Sequence, residues 1–199
     1  MGIHDSKRCD CMNIQINKFT PVLLLSLMAC PVPSNDKDIE DVPVILISPM
    51  QAKVDPLAEH LLSVRWKCAG EGCLDTRDIK RLSENISEYA GASRIEVSLM
   101  VGILMVENPW LDSLAVSSAG AVGLFQVMPM HRGAWASCSE AIETIKGSVC
   151  HGSSIIEDFL QRRGTREGAL LAYNGCRSGP CEAYPEKVST HSQQFIDKD

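Results

Sequence analysis

In the stretch VSLMVGILMVENP, a nearly unbroken apolar run from Val97 to Val106 ends on a carboxylate, Glu107, followed at once by Asn108 and Pro109. Pro109 disfavours helical backbone at Asn108, so a helix through the run must stop near Glu107. A carboxylate there faces the negative end of the helix dipole, and apolar walls strip it of water. Both effects favour its protonated form. Such a group can hold a proton near neutral pH and donate it, as a general acid must when a glycosidic bond is broken. The plainer alternative is a surface Glu at a fraying helix end. The segment that follows, AVSSAGAVGLFQVMP, has Gly120 and Gly123 bracketing a turn. Leu124, Gln126 and Met128 then alternate with Phe125 and Val127, which predicts Gln126 and Met128 on one face.

These residues need elements to hold them. Glu96 to Glu107 is apolar on all sides, the pattern of a central buried helix. Around it, DPLAEHLLSVRWK opens on an Asp-Pro helix start, with Leu57, Leu61, Leu62 and Val64 to one side. Ile79, Leu82, Ile86 and Tyr89 make an amphipathic helix from Thr76 to about Gly91. Ile155, Ile156, Phe159 and Leu160 form a helical stripe that stops at Gly164, and TREGALLAYNG follows with a Thr cap. Aromatic residues are only 5% of the chain while aliphatic ones abound, so the fold class is mostly α. A net charge of −6 without a basic block leaves no footprint for nucleic acid. His4, His60, His131, His151 and His191 are scattered and no H-E-x-x-H occurs, so neither metal nor cofactor is expected.

From Glu107 on, ENPWLDSLAVSSAGAVGLFQVMP resembles the E-S-x-x-[NP]-x-A-x-S-x-x-G-A-x-G-L-[MF]-Q-x-M-P pattern of the soluble-lytic-transglycosylase (SLT) domain, a lysozyme-like fold. GALLAYNG resembles the family's A-L-A-A-Y-N-A-G block and YPEKV its terminal Y-V-x-K-V, with a looser match at CHGSSIIEDFL. The likeness spans roughly residues 55 to 190. It implies a mostly α domain with a small irregular or β segment after the helix that carries the acid. It further implies cleavage of the MurNAc-GlcNAc β-1,4 bond of peptidoglycan glycan strands with formation of 1,6-anhydromuramoyl ends. Glu107 matches the family's single acid/base. Gln126 and Met128 match positions lining the glycan groove, and Tyr173 and Asn174 match its Tyr-Asn pair, with the Tyr hydroxyl near the carboxylate. Ser117 and Gly120 match the turn that shapes the site. Asn108 departs from the Ser that commonly follows the Glu; an Asn amide can still donate to a carboxylate, so tuning of the acid rather than its loss is expected. Trp110 and Trp135 are candidates for stacking on sugars, or for packing.

Nine cysteines also require an account. Residues 1–30 read as a signal peptide: Lys18, then the apolar FTPVLLLSLMAC, too short to span a bilayer. LMAC resembles the lipobox of bacterial lipoproteins, which makes Cys30 the lipid anchor, and Met12 is an alternative start. Cys9 and Cys11 leave with the leader. Residues 31–54, rich in Pro and Asp, form a tether, and 55–199 form the domain. Cys68, Cys73, Cys138, Cys150, Cys176 and Cys181 remain. Paired by neighbours they staple the domain, although six cysteines allow fifteen pairings, and the two C-x4-C spacings leave zinc as a competing use. The expected location is the periplasm, with the membrane reached through Cys30; a secretion machine or a phage assembly is a candidate partner.

Two other functions compete. A hydrolysing lysozyme-type muramidase would need a second carboxylate, for which Asp112 is nearest in sequence. A non-catalytic peptidoglycan-binding or assembly protein could keep the fold, but it would have no need of Glu107.

Overall fold

The computed structural model describes residues 55–176 and 181–198; the segments expected to be a leader and a tether, with Cys30, lie outside them. Among the described residues there are six α-helices and no sheet. They are α1 (Pro56–Val64), α2 (Thr76–Ser93), α3 (Val97–Glu107), α4 (Ile145–Arg163), α5 (Arg166–Tyr173) and α6 (Ala183–Ile196). Among the described residues, no helix is long and apolar enough to cross a membrane.

Local chemistry sets most of the boundaries. Asp55 caps α1 by accepting from the backbone N–H groups of Leu57 and Ala58, and Pro56 sits where a helix has no use for an N–H. Asp75 caps α2 through the N–H of Asp78, Thr144 caps α4 through that of Gly147, and Thr165 caps α5 through that of Gly168. At its C-terminus α2 runs past Gly91 to Ser93, and Arg94 takes the left-handed conformation that ends it. Gly164 closes α4 in the same way.

The sequence pattern places the start of α4 too late. The helix begins at Ile145, and its first half, KGSVCHGSS, shows no apolar stripe although Gly147 to Ser153 are all buried. Its glycines are contact points: a Cβ at Gly152 would lie 2.7 Å from the Phe125 ring. Phe125, fully buried, therefore packs against bare helix backbone.

At the centre, α3 is buried from Ser98 to Met105. It packs chiefly on α6, while α2 and α5 pack on α4 and α1 packs on α2. The contact between α3 and α6 is close because Gly102 has no side chain. A Cβ there would meet Ser192 Oγ at 2.3 Å and the Val188 carbonyl at 2.5 Å.

Three disulfides join sequence neighbours, Cys68–Cys73, Cys138–Cys150 and Cys176–Cys181. The last ties the end of α5 to the start of α6, and the second anchors the irregular stretch before α4 to that helix. Between α3 and α4 the chain forms turns, with isolated bridges pairing Val122 with both Val116 and Val127.

Gly102→Ala should force α3 and α6 apart. The expected loss is about 2 kcal/mol of stability, the usual range for overpacking, read as a lower urea midpoint with unchanged slope. A midpoint equal to the parent's would show that the two helices do not depend on this contact.

Candidate active site

Glu107 is the last residue of α3, half-buried beside α6. Its carboxylate oxygen Oε1 accepts a hydrogen bond of 2.5 Å from the hydroxyl of Tyr184, in the first turn of α6. Burial pushes the Glu107 pKa up, and the Tyr184 bond, which favours the charged form, offsets only part of that rise. Burial also raises both neighbouring phenols, and the Glu107 charge adds to the shift of each, so Tyr173 and Tyr184 remain protonated. The result is a carboxyl that retains a proton above the ordinary Glu range, with a phenol to hold its orientation.

Two recesses flank Tyr173 and Asn174. One, of about 250 Å³, brings Glu107 together with Asn174, Tyr184 and Lys187. The other, of about 320 Å³, is lined by Gln126, Met128, Tyr173 and Met130, among others. Of the residues singled out from the sequence, Glu107, Asn174 and Cys181 line the first recess, and Gln126, Met128, Tyr173 and Cys176 line the second.

 Cys181 borders the first recess as well, so its disulfide to Cys176 lies along both.

Three expectations are refined. The Tyr173 hydroxyl donates to the Phe125 carbonyl at 2.8 Å, and the phenol bonded to the carboxylate is that of Tyr184. Tyr173 lies near enough to feel the Glu107 charge, as expected, while its hydroxyl is committed to the backbone of the Gly-rich segment. Asn108 does not donate to Glu107. It is buried, its amide donates to the carbonyls of Asp112 and Gly123, and its oxygen accepts from the Asp112 N–H, so it clamps the turn after α3. Gln126 and Met128 do share a recess, but without a strand to alternate in. Gln126 has φ +47° and donates to the Gly123 carbonyl at 2.8 Å, so a turn sets its direction.

Ser117 and Gly120 line neither recess. They build the turn between them: the Ser117 hydroxyl and carbonyl accept from the N–H groups of Ala121 and Gly120, respectively. Asp112 is likewise occupied, its carboxylate accepting from the Leu114 N–H. Trp110 is exposed and sits edge-on to Trp66, whereas Trp135 lies between His131 and His151. Among the described residues no three metal-ligating side chains gather. Tyr184 is the functional candidate that the residue pattern left without a role. Its only signal was its place in YPEKV, and its partner lies 77 positions away.

Compared with profiles of known families, residues 84–184 match the transglycosylase SLT domain. The chain belongs to this family, and its helical, disulfide-stapled fold is the lysozyme-like SLT domain. No curated protein and no solved structure matches the chain.

The raised Glu107 pKa has a consequence for stability. From the ordinary value of 4.5 up through the raised one, the folded chain holds a proton that the unfolded chain has released, so stability falls as pH rises across this window and then levels. Glu107→Gln cannot ionise. It should match the parent below the window and exceed it in stability at neutral pH, in urea titrations at a series of pH values. A parent that gains on the variant as pH rises would contradict the assignment. Tyr184→Phe, which removes the opposing hydrogen bond, should move the upper edge of the window to higher pH.

Proposed function

We propose that the protein is a peptidoglycan lytic transglycosylase that cleaves the MurNAc-GlcNAc β-1,4 bond. The observation that carries this reading is the Glu107 carboxyl at the end of α3, with its pKa raised by burial, its oxygen bound by Tyr184, and its position inside the family match. In this mechanism Glu107 gives its proton to the leaving glycosidic oxygen as the bond to the muramoyl C1 breaks. The resulting carboxylate takes the proton of the same sugar's 6-hydroxyl while that oxygen bonds to C1. The product is a 1,6-anhydromuramoyl end, and no water is consumed.

One acid/base suffices for both steps. Among the described residues Glu107 is the single carboxylate lining its recess, and Asp112, the nearest alternative in sequence, is bound to its own turn. A muramidase would need a second carboxylate to place a water or attack the sugar. In the proposed complex Gln126, Met128, Tyr173 and Asn174 line the groove, with Ser117 and Gly120 shaping the turn behind it. The three disulfides suit an oxidising compartment, and we propose that the chain acts in the periplasm, held to the membrane by a lipid on Cys30.

Digestion of purified peptidoglycan should release muropeptides each lighter by one water than the hydrolysis product. Glu107→Gln should slow their release roughly a thousandfold, as removal of a general acid does. Reducing ends in the wild-type digest would instead make the protein a hydrolase, and full activity of the Gln variant would remove Glu107 from the chemistry.

A further inference from the structure

The chain carries 25 acidic against 19 basic residues, yet among the described residues no carboxylate but Glu107 lines either recess beside Tyr173 and Asn174. Each instead has a permanent cation. Lys187 lines the recess of Glu107, one helical turn after Tyr184 on α6, so its stem and the Tyr184 ring share a face. Arg163, the last residue of α4, lines the other. Neither makes an ion pair among the described residues, whereas the adjacent Arg162 pairs with Asp158 and lies over the Phe159 ring. Nor does Lys187 pair with the acid, whose oxygen is bonded by Tyr184 instead.

We propose that Lys187 and Arg163 are specificity determinants that bind the carboxylates of the peptide substituents on a glycan strand, one on each side of Tyr173 and Asn174. This rests on the proposed function, and adds to it which form of the polymer is preferred. Muramoyl residues carry a lactyl-linked peptide with free carboxylates, and the sugars between them do not. An overall acidic protein repels such a polymer unless cations stand where its charges fall. Lys and Arg at exposed positions act here as charges at the rim, so they govern association more than the chemical step.

The test compares native peptidoglycan with peptidoglycan whose carboxylates have been converted to amides by carbodiimide and ammonia. Wild-type full-length protein should show a kcat/KM about tenfold higher on the native polymer, the effect of two exposed charge contacts, with the difference in KM and reduced by added salt. The double variant Arg163→Gln/Lys187→Gln should lose the preference, and Arg163→Lys/Lys187→Arg should keep it. A helix-end arginine that merely complements the dipole of α4 would leave the preference intact in the Gln variant. Equal wild-type cleavage of the two polymers, or a preference that survives in the Gln variant, would overturn this inference alone. Failure of the wild type to form anhydro ends from either polymer would overturn the proposed function, and this inference with it.

Discussion

The structure depends on keeping one carboxyl partly out of water at the end of a buried helix. Glu107 is held where burial opposes its charge, and the Tyr184 hydroxyl fixes the orientation of its oxygen. Neither condition is local. The apolar surroundings come from α3 being enclosed, and the phenol comes from α6, which can reach the carboxylate because Gly102 lets the two helices approach closely. A desolvated acid without a donor would be poorly oriented, and one bonded by a donor but solvated would ionise at or below the ordinary Glu range.

The rest of the domain maintains that pairing from both sides. Asn108 fixes the chain as it leaves Glu107, with three hydrogen bonds to backbone groups of Asp112 and Gly123. Tyr173 binds the Phe125 carbonyl and so ties α5 to the turn that aims Gln126. The Cys176–Cys181 disulfide spans the connection from α5 to α6, which limits how far Tyr184 can move from Asn174. Closing so short a loop restricts the unfolded chain only modestly. Its greater effect is on the site, where it keeps the rims of the two recesses together.

What the sequence revealed and what it hid follow from the range of each interaction. The enclosed helix, its end at Glu107 and the caps at Asp55 and Thr165 depend on neighbours within four residues, and all three were legible. The Gly-rich segment was legible as a family pattern, and its pattern named Gln126 and Met128 correctly as companions, for a reason that proved to be a turn. The first half of α4 was hidden because its glycines and serines, polar or featureless in a periodicity, are buried where backbone meets side chain. The hydrogen-bond partners of Asn108, Tyr173 and Tyr184 were not legible because they are set by packing. Asn108 reaches a carbonyl 15 residues on, and the Tyr173 and Tyr184 bonds span 48 and 77 positions.

The central claim is that one carboxyl does both halves of the reaction, with the sugar's own hydroxyl as nucleophile. Digestion in water labelled with heavy oxygen tests it most directly, because the source of the oxygen bonded to C1 is then read from the product. The account predicts muramoyl ends free of the label from the first turnovers onward. Label at C1 in those products would show that water attacks, and would contradict it.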